Sequence, residues 1–204
     1  MTTKRAKSLL LAMSIGDGTV RKDSPELQIG HSTKQKDYCE QKAKLLGECL
    51  GRNINTHQKT YGGYDCVRFS VSHPYLKFVR TWLYKNNQKT LTIKVLRRLT
   101  DEAIAIWYMD DGCLCSKKKN GKYHAFELSI STCCPTIEEA QTICDFFYER
   151  YEVKMTIKKM KGRFSVRCGT QNARKLISIL EPYCMSGMEY KFKPILEKYG
   201  EHLN

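Results

Sequence analysis

The chain has 204 residues, 41% of them hydrophobic, and carries 35 Lys+Arg against 21 Asp+Glu for a formal net charge of +14. That is enough apolar sequence to bury a core as one domain or two small ones in contact, and a basic excess of this size marks a polyanion-binding surface, because neutralised phosphates release condensed counterions. No run of about 18 apolar residues occurs, which excludes a helical membrane span. The apolar stretch after MTTKRAK closes on Asp17 where an export signal needs small residues, and the ten cysteines form no Cys-x-x-Cys, so an intracellular protein with reduced thiols is expected.

Leu9–Asp17 reads as a buried helix entered from a basic tail, and Gly18-Thr19-Val20-Arg21 turns out of it into a strand. Glu26–Ser32 alternates as a second strand after the Lys22-Asp23-Ser24-Pro25 turn. Lys36–Leu50 runs as an amphipathic helix with Ala43, Leu46 and Leu50 on one face and Gly51 as its stop. Strands Asn53–Lys59 and Cys66–Val71 flank the Gly62-Gly63 turn, and Pro74 opens a helix to about Tyr84. After a linker over Lys85–Leu99 the order repeats. Ile104–Asp110 is helix, and Cys113–Ser116 with Tyr123–Thr132 forms a hairpin. Pro135 starts a helix to about Tyr151, two strands surround the Lys161-Gly162 turn, and Thr170–Leu180 is a closing helix. The tail from Lys191 to Asn204 reads as a short helix or loose chain.

Each half is therefore αββαββα, a first repeat with its linker over 1–95 and a second repeat with its tail over 96–204. The residues themselves repeat. LLAMSIGDG ends at Gly18 and IAIWYMDDG at Gly112; Arg68-Phe69-Ser70-Val71 recurs as Arg163-Phe164-Ser165-Val166; Glu26-Leu27-x-Ile29 recurs as Glu127-Leu128-x-Ile130. Three matches in one order at one period point to a fused pseudo-dimer. Asp17 and Asp111 are then carboxylates delivered by equivalent helix ends in a basic chain, which suggests a metal-dependent site acting on a polyanion. A basic residue follows each late in its half, Lys89 and Lys191.

The strands gather the charge. Lys154 and Lys158 oppose Val153, Met155 and Ile157, and Arg163 and Arg167 oppose Phe164 and Val166. In the first half Asn55, His57 and Lys59 oppose Ile54 and Thr56, while Arg68 and Ser70 oppose Phe69 and Val71. With Arg21, Lys117 and Lys119, these residues are expected to line a DNA-binding saddle whose ribbons fit the major groove.

The two motifs, each heading an αββαββ unit, resemble those of the single-chain LAGLIDADG homing endonucleases. The second half, with Trp-Tyr-Met-Asp-Asp-Gly, Pro-Thr-Ile-Glu-Glu-Ala and Glu-Tyr-Lys-Phe, is similar to the group I intron-encoded branch. The resemblance runs from about Leu9 to Phe192. It implies an α+β fold with pseudo-twofold-related units and motif helices packed at the centre, Asp17 and Asp111 at the DNA cleft, and Lys89 and Lys191 as catalytic lysines. It also places Gln28 and His31 where a polar water-positioning or base-reading residue is kept. Ala12 and Gly16 provide the small residues that let the helices approach; Ile106 and Asp110 stand at those positions in the second motif and imply asymmetric packing. Asp110 is a second candidate acid.

Mg²⁺ or Mn²⁺ would suit such a site, since hard cations take oxygen ligands and leave positions for phosphate oxygens. Asp17 and Asp111, with Gly16 and Asp110 beside them, are the expected metal positions. The implied activity is sequence-specific hydrolysis of both DNA strands by a monomer, over a target of about two helical turns, since both half-sites sit on one chain. Alternatives on the same fold are an RNA maturase, with intron RNA as partner, and a DNA-binding regulator that has lost the chemistry. Two retained acids and two retained lysines favour the enzyme.

Overall fold

The computed structural model describes residues 2–160 and 162–200, so the expected turn at Lys161 and the last residues of the tail lie outside the described residues. The first repeat runs α1 (Lys4–Ile15), β1 (Thr19–Val20), β2 (Glu26–Ser32), α2 (Lys36–Leu50), β3 (His57–Tyr61), β4 (Tyr64–Ser72), α3 (Tyr75–Leu83). A short hairpin, β5 (Tyr84–Lys85) and β6 (Gln88–Lys89), and α4 (Ile93–Leu96) connect it to the second. That repeat runs α5 (Asp101–Asp111), β7 (Gly112–Lys119), β8 (Lys122–Cys134), α6 (Ile137–Tyr151), β9 (Thr156–Met160), β10 (Arg163–Gly169), α7 (Thr170–Leu180), and α8 (Lys193–Tyr199) follows. The αββαββα order holds in both halves.

The two four-stranded antiparallel sheets share one topology, β1-β2-β4-β3 and β7-β8-β10-β9. Leu27 and Ile29 oppose Val71 and Phe69, as Leu128 and Ile130 oppose Cys168 and Val166, and all eight side chains are buried. The Glu26–Ile29 and Glu127–Ile130 quartets thus occupy equivalent places, but Arg163-Phe164-Ser165-Val166 stands two residues out of register with Arg68-Phe69-Ser70-Val71, because Val166 opposes Ile130 where Phe69 opposes Ile29 and the β8–β10 register shifts between Phe164 and Val166.

The motif helices are the centre of the core. Leu9–Met13 on α1 and Ala103–Met109 on α5 have no exposed surface, so these helices are apolar all round and packed on all sides. Trp107 and Tyr108 are fully buried. Both helices run the same way. At their starts Arg5 bonds Glu102, and the Thr100 amide donates to Ser8 Oγ at 2.8 Å; at their ends Asp110 meets Gly16 and the Asp17 amide. Gly16 makes that approach feasible, because a Cβ there would overlap the Asp110 carboxylate.

The structure corrects several bounds. The expected basic tail is the first turn of α1, capped by Thr3, whose side chain accepts from the Ala6 amide at 3.1 Å. α5 likewise begins earlier, capped by Thr100. Asn53–Thr56 is irregular and β3 starts only at His57, and His57, Gln58, Lys59 and Thr60 are all exposed, without the buried alternation expected there. The β7–β8 hairpin is longer than expected, extending through the lysine run.

Candidate active site and nucleic-acid interface

The parallel motif helices bring Asp17 and Asp111 to one end of the core, together with Asp110. The partial negative ends of two helix dipoles converge there as well, an arrangement that favours cations. Three lysines answer it. Lys89 Nζ donates to the carbonyls of Ile15 at 3.1 Å and Gly16 at 2.6 Å. Lys191 Nζ donates to the carbonyls of Met109 and, at 3.4 Å, Asp110. Lys42 Nζ lies 2.8 and 2.9 Å from the two Asp110 oxygens, and both side chains of that pair are 0% exposed.

The carboxylates have different surroundings. Asp110 accepts from Lys42, from Tyr38 Oη at 2.6 Å, and from the Asp17 amide at 3.3 Å. Asp110, the second candidate acid, is thus engaged by a buried lysine and a tyrosine, whereas Asp111 has no such ion pair among the described residues. The Asp17 side chain is 41% exposed, and burial together with the Asp110 charge raises its pKa. Burial, then Asp110 and Asp17, pushes Asp111 up to about 7; its Oδ2 accepts from Trp107 Nε1 at 3.1 Å. Burial lowers Lys89 and Lys191, against the pull of the three aspartates. Two acids held above their usual range at two helix C-termini form a hard-oxygen donor set that suits a divalent cation. Asp17, His31 and Asp110 also place potential ligand atoms within 4.8 Å of one another, but Lys42 already bonds that group from inside.

His31 belongs to this cluster rather than to the DNA surface. It shares the core face of β2 with Leu27 and Ile29, and period two buries it. Burial and then Lys42 lower it to about 4, so it is neutral near pH 7. The Lys42 ammonium has only protons to give, and it lies 3.3 Å from His31 Nε2, which must then be the acceptor. The ring proton sits on Nδ1, facing Asp17 Oδ2 at 3.6 Å.

Most of the expected saddle residues share one face. Gln28 pairs with Thr19 and Ser70, and Arg68 pairs with Gly30 and His57. Arg68 lies over Gly30, where a Cβ would crowd it. Lys59, Ser70, Lys117, Lys119 and Arg163 are exposed, and Lys158 pairs with Ser165 beside Arg167. The face is less purely basic than expected: Arg21 sits 3.6 Å from Glu26, and Arg167 bonds Glu127 at 2.8 Å, at the equivalent position. Two residues fall off it. Asn55 lies in the irregular segment after α2, in a hollow lined by Glu40, Lys44 and Glu48, and Lys154 precedes β9, its amide donating to Asn172 Oδ1 in the first turn of α7.

Lys42 and Tyr38 were not anticipated. The available signal was a lysine four residues from a tyrosine and four from Leu46, on the apolar face of α2, with an aspartate at the small-residue position of the other motif.

The sequence model of the LAGLIDADG DNA endonuclease family matches residues 8–176. Among curated proteins, the chain is 27% identical over 197 residues to the protein RecA of Mycolicibacterium flavescens, covering 91% of this chain and 46% of that protein. It therefore spans about half the length of that relative. It is 26% identical over 140 residues to the intron-encoded endonuclease ai4 of Dictyostelium discoideum, covering 67% of this chain and 81% of the relative. Among solved structures, the homing endonuclease I-WcaI bound to its DNA recognition sequence superposes with a TM-score of 0.76 at 18% identity, covering 94% of this chain and 87% of that one.

Proposed function

This chain belongs to the LAGLIDADG DNA endonuclease family, and from that premise we propose that it is a sequence-specific endonuclease that hydrolyses both strands of a DNA duplex of about two helical turns, acting as a monomer. The observation that carries this reading is the doubled Asp–Lys arrangement. Asp17 and Asp111 leave the ends of parallel buried helices, and Lys89 and Lys191 are bonded to the two carbonyls preceding each aspartate.

In this reading the basic faces of the sheets hold the phosphates and set the duplex across the helix ends, with base readout from Gln28, His57 and Arg68. Asp17 and Asp111, with the adjoining carbonyls of Gly16 and Asp110, would hold divalent cations, Mg²⁺ or Mn²⁺. Such a cation supplies charge neutralisation at the phosphate and acidifies a water at neutral pH. Lys89 and Lys191 keep an ammonium beside each scissile group, where negative charge grows in the transition state. Neutral His31, held by Lys42, steadies the Asp17 carboxylate in one orientation.

The test is selection of cleaved duplexes from a randomised plasmid library with Mg²⁺ or Mn²⁺. Wild-type protein is expected to return one family of sites cut on both strands. Asp17→Asn and Asp111→Asn are expected to bind the selected duplex with near wild-type affinity and leave it uncut. A wild-type protein that binds a defined duplex but never cuts it, or an Asp111→Asn protein that cuts at the wild-type rate, overturns the proposal.

A further inference from the structure

The first repeat carries an aromatic cluster that its sister lacks. On α3, Leu76, Val79 and Leu83 are buried, while Tyr75, Phe78 and Trp82 form a contiguous outer stripe. Their ring centroids are 5.8 to 6.3 Å apart, and Phe78 is 56% exposed. Cations frame the stripe: Lys7 Nζ stands 5.7 Å from the Tyr75 ring centre, and the Arg98 guanidinium 4.3 Å from that of Trp82. α3 contains no acid, and the neighbouring Glu102 and Glu149 are held by Arg5 and Arg97.

The fold does not require these rings. On α7 the buried Ala173, Leu176 and Leu180 match Leu76, Val79 and Leu83, which puts Asn172, Lys175 and Ile179 where α3 has Tyr75, Phe78 and Trp82. Nor does the DNA saddle use them. Lys7 stands ten residues before Asp17, about 15 Å along the helix axis, so the stripe lies at the other end of α1 from the carboxylates. Phe78 is the exposed ring of the stripe, and beside it Lys7 and Arg98 lie over the half-buried rings of Tyr75 and Trp82, an arrangement that matches a base stacked on Phe78 with its phosphates on Lys and Arg.

We propose that Tyr75, Phe78 and Trp82, with Lys7 and Arg98, form a stacking site for unpaired bases of an RNA. RNA is the better occupant because it is recognised mainly through unstacked loop and bulge bases, whereas DNA strands parted by cleavage would emerge at the carboxylates, at the far end of α1. The inference is independent of the cleavage reading.

The chain has two tryptophans, and Trp107 is fully buried, so quenching by a stacked base reports on Trp82. Titrating a uridine-rich oligoribonucleotide into the whole protein is expected to quench tryptophan emission saturably. Phe78→Ala, at an exposed position, is expected to weaken RNA binding about tenfold while leaving duplex DNA binding and cleavage of the selected duplex unchanged. Trp82→Phe is expected to keep RNA affinity and lose the quench. Unchanged affinity in Phe78→Ala overturns the proposal, as does equal competition by single-stranded DNA of the same sequence. Sedimentation showing a dimer that Phe78→Ala dissolves would assign the stripe to a second copy of the chain instead, and also overturns it.

Discussion

Lys89 and Lys191 deliver the same ammonium to equivalent carbonyls from unrelated pieces of backbone. Lys89 ends the two-residue strand β6 of the linker hairpin, and Lys191 ends a short 3₁₀ turn before α8. What the repeats share here is the position of the charge, and the route of the chain to it differs. Lys191→Met and Lys89→Met are therefore expected to slow single-turnover cleavage of bound DNA by about 100-fold with little change in affinity. Because the two lysines hang on different elements, the strands should be affected unequally, and nicked duplex should accumulate. A gel time course with strand-specific labels checks this; equal loss of affinity and rate would reduce the lysines to phosphate contacts.

The Lys42–Asp110 pair tests the buried network. Removing one member strands the other's charge in the core, so Lys42→Met is expected to cost about 3–5 kcal/mol. Lys42→Met combined with Asp110→Gly removes both charges and should recover much of that loss. Urea unfolding of the single and double variants measures the coupling; strictly additive effects would refute it.

The raised Asp111 makes stability depend on pH and cation together. A carboxyl whose folded pKa is about 7 binds its proton more tightly folded than unfolded, so its contribution is fully present below the unfolded value of 3.8 and lost as pH rises through about 7. Without cation, the melting temperature should fall between about pH 5.5 and about pH 8. A divalent cation binds the ionised form, so millimolar Mg²⁺ should raise it more at the upper pH. Asp111→Asn should raise the cation-free melting temperature at the upper pH and shrink the response to Mg²⁺. Calorimetry in both buffers decides.

On the saddle, pairing predicts unequal worth. Lys158→Ala should weaken duplex binding and reduce the salt-dependence slope by about one phosphate's contribution. Arg167→Ala should do less, because Glu127 already opposes that charge and is left behind without it. Salt-dependent binding isotherms for the two variants are the check; equal slopes would show that the Glu127 bond opens on DNA.

Local pattern sufficed where structure is local. The bounds of β2, α2 and α7 follow directly from alternation, amphipathic spacing and stop residues. The resemblance carried by the doubled motif likewise implies motif helices packed at the centre, and the structure has them there, fully buried over Leu9–Met13 and Ala103–Met109. His31 is expected as a water-positioning or base-reading residue, and the strand period places it on the buried face of β2 with Leu27 and Ile29, beside Asp17. The Lys42–Asp110 bond was illegible in the sequence. It joins residues 68 positions apart, through side chains of opposite repeats, and no spacing within either element records it.

That bond also makes the repeats non-interchangeable. Matching Cys39 to Ala140 and Leu46 to Phe147 along α2 and α6 puts Ile143 opposite Lys42, just as Gly16 stands opposite Asp110. Two copies of the second repeat would bring two aspartates face to face with no lysine; two copies of the first would bury two lysines with no acid. Whatever symmetric ancestor preceded the duplication, neither half paired with itself can now rebuild it, and the core needs one copy of each.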